Sequence, residues 1–264
     1  MTTVGLPGSL ADWGPAALSA VVVAGYLVVG EPVVGHVLHR RFEGRLRTED
    51  GARRGFYGRL LVLEWGLAVL ALVVWLSAPG VDAAAVGLRW PRSWPGPVAL
   101  TATVLVLGFV VVSTRALRSG GLARSAAELR RPGEGRHAEP AVHATLALLP
   151  RTTAERRLFT LVGVTAGVCE EWLYRGFLLA VVAAVGGDLP TPALVAIAAL
   201  AFGLAHAYQG VAGIVTTGVL GGVMAGLYLG TGSLLLPVVL HALIDLRFLL
   251  VPTSALPHVA RRPA

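Results

Sequence analysis

Leu158-Phe159-Thr160-Leu161-Val162-Gly163-Val164-Thr165-Ala166-Gly167-Val168-Cys169-Glu170-Glu171-Trp172-Leu173-Tyr174-Arg175-Gly176-Phe177-Leu178-Leu179-Ala180-Val181-Val182-Ala183-Ala184-Val185 is an apolar run interrupted by two adjacent glutamates and an arginine. A bilayer needs about 20 apolar residues per helix, and this run supplies them. Six more runs flank it, at 16–38, 60–77, 98–114, 193–208, 213–229 and 234–251. The composition agrees: 55% of residues are hydrophobic, 14% are charged, and the mean hydropathy is +0.71. A soluble globule of this make-up lacks the polar residues to cover itself. Disorder is excluded by the abundance of apolar residues, and a disulfide scaffold by the single cysteine, Cys169. The fold class is therefore all-α, a polytopic membrane protein with about seven or eight transmembrane helices and an intramembrane polar cavity.

The net charge of +7 comes from arginine, since the chain contains no lysine. Arginine-rich loops stay in the cytoplasm. Arg40, Arg41, Arg45, Arg47, Arg53, Arg54 and Arg59 follow the first run. Arg115, Arg118, Arg124, Arg130, Arg131, Arg136, Arg151, Arg156 and Arg157 lie between the third and fourth, and Arg261 and Arg262 near the end. With seven spans all three groups fall on one side, which predicts a plasma-membrane protein with its N-terminus outside and its C-terminus in the cytoplasm. The basic loops are read as topological signals that also attract anionic lipid, and no nucleic acid is expected as a partner. The first run has no basic residues before it and is too long for a signal-peptide core, so it is expected to stay as an anchor. Trp90 and Trp94 place the connector 79–97 at the membrane interface.

A charge at bilayer centre costs at least about 2.5–3.5 kcal/mol on insertion scales, so each marks a functional-site hypothesis. Besides Glu170, Glu171 and Arg175, the fifth run has His206, and the seventh has His241 and Asp245 with Arg247 beyond. Residues at i and i+4 share a helix face, so Glu171 can pair with Arg175 while Glu170, turned about 100° away, faces other helices. His241 and Asp245 project from one stripe, and Arg247 is expected to snorkel. Glu170 lies about 18 Å into its span, whereas His206 lies about 3 Å from the end of its run unless that helix stops short inside a cavity. A buried carboxylate beside a histidine can act as general base on water, and His241 with Asp245 can hold an oxyanion. The alternative is a divalent metal such as Zn²⁺ on Glu170, His206 and His241, with an open position for water. No HExxH occurs, and no GxSxG supports serine chemistry.

Other polar residues read more plainly. Glu31 and Glu64 are expected near span ends, solvated by the interface. His36, His39, His137, His143 and His258 are expected to face solvent. Cys169 and Phe202 are expected to pack, and Gly218, Gly222 and Gly226 to form a smooth face for close helix approach.

Glu170-Glu171-x-x-x-Arg175, Phe202-x-x-x-His206 and His241-x-x-x-Asp245, in this order in successive helices, resemble the CPBP intramembrane protease family, also called the Abi or type II CAAX prenyl endopeptidase family. The resemblance spans roughly Pro150 to Leu250, including the lead-in Pro150-Arg151-Thr152-Thr153-Ala154-Glu155. It implies hydrolysis of a peptide bond of a membrane-associated or lipidated (CAAX-like) peptide, or of a small peptide. Glu170 would activate water with His206, His241 and Asp245 would support the oxyanion, and Glu171 and Arg175 would shape the site. An ionised Asp245 cannot donate to an oxyanion, so it must be protonated or act by orienting His241. Whether the mechanism is glutamate-dependent or metal-dependent stays open. The other reading is a non-catalytic membrane binding or immunity protein of the same fold. The chain is expected to divide into N-terminal helices and cytoplasmic loops (1–150), a catalytic core (151–251) and a cytoplasmic tail (252–264).

Overall fold

The computed structural model describes residues 4–46, 48–91, 95–119 and 140–256. The expectations for Arg47, Arg92, Trp94, Arg124, Arg130, Arg131, Arg136, His137, His258, Arg261 and Arg262, and for the side chain of His143, fall outside those residues. Among the described residues the regular elements are all helical. Helix α1 (Ala17–Gly25) and α2 (Glu31–Arg45) are joined by a π turn, Tyr26–Gly30, and preceded by a 3₁₀ segment, Leu10–Ala16. Together they form one helical segment, Leu10–Arg45, of 36 residues, kinked at Gly14 (φ 49°, ψ −129°) and longer at both ends than the apolar run alone predicts. Pro32 has no backbone N–H to donate, and the widened turn sits in the stretch just before it.

Next come α3 (Ala52–Leu76), α4 (Pro97–Arg118), α5 (Pro140–Leu148) and α6 (Thr153–Glu171). Helix α5 lies where the sequence suggests only loop. A capping box starts α6: Thr152 Oγ1 accepts from the Glu155 amide at 3.2 Å, and Glu155 returns a carboxylate oxygen to the Thr152 amide at 3.1 Å. The motif helix then widens into a π turn, Trp172–Leu178, and resumes as α7 (Leu179–Gly186). Helix α8 (Thr191–Ala205), a 3₁₀ turn Ala207–Gln209, α9 (Gly210–Thr231) and α10 (Leu235–Leu246) complete the core, with α10 passing into the 3₁₀ segment Arg247–Leu250.

Four helical segments, Leu10–Arg45, Ala52–Leu76, Pro97–Arg118 and Ala207–Thr231, are long and apolar enough to cross a membrane, and Thr191–Ala205 is a shorter apolar helix. Only 11% of the apolar window of α4 is buried in the protein, so most of that helix has lipid as its only apolar solvent. The chain is a polytopic all-α membrane protein.

Helix α6 is central, between α3 and α10. Two indole hydrogen bonds fix its register with α3. Trp65 Nε1 donates to Thr165 Oγ1 at 3.1 Å, and Trp172 Nε1 donates to the Ala68 carbonyl at 3.0 Å. Both sequence numbers rise together, so α3 and α6 run parallel. Against α10 the register is antiparallel and close. A Cβ on Gly163 would stand 3.3 Å from Asp245 Cβ, and one on Gly167 would stand 3.0 Å from Ala242 Cβ. Glycine at 167 is what lets α10 approach near enough to reach Glu171.

Helices α8 and α9 form a tight hairpin in which Gly218 and Gly222 lie against Ala199. Gly226 meets nothing within 4 Å, so the smooth face ends before it. The connector before α4 is docked rather than free: Arg89 Nε donates to the Gly232 carbonyl at 2.8 Å, and Tyr228 Oη donates to the Ala85 carbonyl at 3.0 Å. Trp90 beside it is 79% exposed, as suits an interfacial residue.

Candidate active site

A cavity of about 790 Å³ opens among α2, α3, α6, α8, α9 and α10, and Glu170, Glu171, Arg175, His206, His241 and Asp245 all line it. The architecture thus brings all six sequence-selected residues to one space. Arg175 Nη1 donates to Glu171 Oε1 at 3.0 Å, and both side chains are completely buried. Arg175 Nη2 also donates to the Gly221 carbonyl at 3.2 Å, and its guanidinium lies 4.2 Å from the Phe202 ring centroid.

Glu171 does more than pair with its own helix. His241 Nδ1 lies 2.7 Å from the same Oε1, so Glu171 joins the motif helix to α10. With a carboxylate as acceptor, Nδ1 carries the proton and donates. That turns His241 Nε2 toward the other two carboxylates, 3.8 Å from Glu170 Oε2 and 3.8 Å from Asp245 Oδ2. The basic nitrogen nearest Glu170 therefore belongs to His241. The reason is local: α8 ends at Ala205, His206 caps it, and His206 Nδ1 lies 2.9 Å from the Phe202 carbonyl one turn back. A carbonyl only accepts, so Nδ1–H donates and Nε2 keeps its lone pair.

The depth conflict at His206 resolves in the same way. Helix α8 has 15 residues, about 22 Å, and stops inside the protein so that His206 borders the cavity. Phe202 is more than packing for its own helix. Its ring centroid lies 5.2 Å from that of Tyr174, 4.7 Å from His206 and 5.8 Å from His241. The π turn Trp172–Leu178 carries Arg175 and Tyr174 and starts directly after Glu171, and such widened turns are frequent at functional sites.

Three expectations need correction. Glu31 and Glu64 are not interfacial: both line the cavity. Tyr174 Oη donates to Glu31 Oε2 at 3.1 Å, and Glu64 Oε2 is fully buried without a hydrogen-bond partner. The apolar run gave no signal for Glu64, because α3 starts at Ala52, ahead of that run, and so carries Glu64 about 18 Å along the helix. His39 does not face solvent. It is buried, its ring centroid 4.6 Å from that of Tyr208, among Phe42 and Phe56. Arg247 does not simply snorkel: it donates to the Ile244 carbonyl and lies over the Phe248 ring at 4.2 Å.

A catalytic zinc needs three converging N/O ligands. Among the described residues no group of three or more His, Cys, Asp or Glu side chains could hold a metal ion. Both histidines hold Nδ1 on a carboxylate or a backbone carbonyl and keep Nε2 toward the cavity, so their tautomers serve an acceptor role and a ligand role equally.

No curated protein and no solved structure matches the chain. Residues 153–247, the segment carrying all six motif residues, match the family model described as type II CAAX prenyl endopeptidase Rce1-like, the family that the three motifs resemble.

Proposed function

We propose that the protein is an intramembrane endopeptidase in which Glu170 activates a water held in the cavity for attack on a peptide carbonyl. The observation that carries this reading is the chain Arg175–Glu171–His241, which fixes the imidazole from behind and presents Nε2 beside the unpartnered Glu170 Oε2. A carboxylate and an imidazole held in one small space are the parts that general-base hydrolysis needs.

Glu170 takes a proton from water as the water oxygen bonds to the carbonyl carbon. The carbonyl oxygen gains negative charge, and a donor fixed in advance stabilises it more than one that must reorganise. A His241 carrying Nε2–H supplies that donor. Asp245, 3.8 Å from Nε2, orients the imidazole or donates when protonated. The proton on Glu170 then passes to the leaving amine as the C–N bond breaks. His206, with Nε2 free as an acceptor, assists at the water, and Glu171 and Arg175 hold the geometry. The substrate is a membrane-associated or lipidated peptide presented in the bilayer.

The test is cleavage of a lipidated peptide library by detergent-purified protein, wild type against Glu170→Gln, with and without chelator. The expected result is a loss of about 10²–10⁴-fold in Glu170→Gln, the usual worth of a general base. Stoichiometric zinc by mass spectrometry together with chelator-sensitive cleavage would replace the glutamate mechanism by a metal-dependent one. If Glu170→Gln and His206→Ala insert and leave the biological activity intact, the protein is a non-catalytic binding protein of the same fold.

A further inference from the structure

The hydrolysis mechanism leaves Glu31 and Glu64 without a task. The cavity is lined by five carboxyl groups, against two guanidinium groups and two imidazoles. Even with both histidines protonated, the acids outnumber the cations. The two arginines are also committed: Arg175 to Glu171 and the Gly221 carbonyl, Arg247 to the Ile244 carbonyl and the Phe248 ring. Each leaves its Nε without a hydrogen-bond partner, but among the described residues neither forms an ion pair with the wall made by α3 and the Leu10–Arg45 segment.

On that wall Glu64 Oε2 is buried, borders the cavity and meets no donor, while Glu31 has one carboxylate oxygen on Tyr174. A buried carboxylate is not kept without a partner unless one is brought to it or it is protonated. The bonds Trp65–Thr165 and Trp172–Ala68 bracket Glu64 at the level of residues 164–168, within about 3–9 Å of Glu170 along the helix axis. One turn is about 5.4 Å, within reach of a long side chain extending from a peptide whose carbonyl lies at Glu170. Metal is a poor occupant, because among the described residues no three ligands converge. An ammonium or guanidinium on a flexible stem does not need such convergence.

We propose that Glu64 and Glu31 form a cation-accepting subsite, and that the peptide taken by the cavity carries an arginine or lysine within a residue or two of its scissile bond. This deepens the endopeptidase reading and rests on it for the word scissile, but the charge preference can be measured as binding alone.

The probes are two N-palmitoylated fluorescent peptides of sequence Ala-Val-Arg-Val-Ala, one with arginine and one with citrulline in its place. Their binding to the detergent-purified full chain is followed by fluorescence anisotropy, and their hydrolysis by mass spectrometry. Wild type is expected to bind the arginine peptide about tenfold more tightly, as one charge pair allows. In Glu64→Gln that ratio should fall toward one, in Glu64→Asp it should survive, and in the double variant Glu31→Gln/Glu64→Gln it should vanish. Equal binding of the two peptides by wild type overturns the subsite, and so does an arginine preference that survives in the double variant. The wild-type comparison needs no variant to fold. Arginine-selective binding with no hydrolysis would sink the endopeptidase reading and keep the subsite. Equal hydrolysis of both peptides, lost in Glu170→Gln, would do the reverse.

Discussion

Glu171 accepts from Arg175 and His241 on one oxygen, and the Glu171 and Arg175 side chains are fully buried. Removing one partner of such a buried pair leaves an uncompensated charge and costs about 3–5 kcal/mol, while replacing both by apolar groups is close to neutral. Arg175→Met and Glu171→Gln are therefore each expected to lower the thermal midpoint in detergent sharply, and the double variant to recover part of the loss. Cleavage should not recover with stability, because His241 Nδ1 still lacks its carboxylate. A double variant that regains both would reduce Glu171 to a structural ion pair. These residues were legible one at a time, since charges within an apolar run announce themselves. The link from Glu171 to His241 was not legible, because i and i+4 arithmetic sees one helix and this bond joins two that are 70 positions apart. Glu64 escaped for a different reason: the apolar run starts at Leu60, whereas the helix starts at Ala52, so an end residue became a middle one.

Elements meet here through missing side chains. A Cβ on Gly167 would already press on Ala242 Cβ and the Val238 carbonyl, and on Gly203 it would come within 2.7 Å of the Ile214 carbonyl. Gly167→Val is expected to push α10 outward and lengthen the Glu171–His241 contact. Misplacing a catalytic group by an ångström can cost about 10²-fold in rate. Steady-state kinetics should thus show kcat falling by about that factor while the protein still purifies as a single species; an unchanged kcat would mean that α10 is not positioned by this contact. Gly203→Ala should act on His206 instead, by displacing the end of α8. The seven apolar runs predicted helices well, because a bilayer forbids unsatisfied backbone. The same patterns were silent on the π turn Trp172–Leu178, since hydrophobicity fixes which residues meet lipid and not how many complete a turn. Helix α5 was missed because charge surrounds it on both sides in the sequence.

At the scale of the molecule, the arginine distribution predicts which end faces the cytoplasm, and the single cysteine makes a direct test available. Cys169 is wholly buried. Gly8 and Thr48 are both exposed, and they flank the Leu10–Arg45 segment. Gly8→Cys is expected to react with a membrane-impermeant maleimide in intact cells, and Thr48→Cys only after permeabilisation. The reverse pattern would invert the topology and place the basic loops outside.

The hydrogen bond from Tyr174 to Glu31 crosses a boundary of another kind. Every motif residue lies in 153–247, but Glu31 and Glu64, on the facing wall, come from helices outside that segment. On the proposed reading, the groups that break the bond and the surface that meets the rest of the substrate come from separate stretches of one chain and face each other across the cavity. Chains that share the first stretch and differ in the second would perform the same reaction on different peptides.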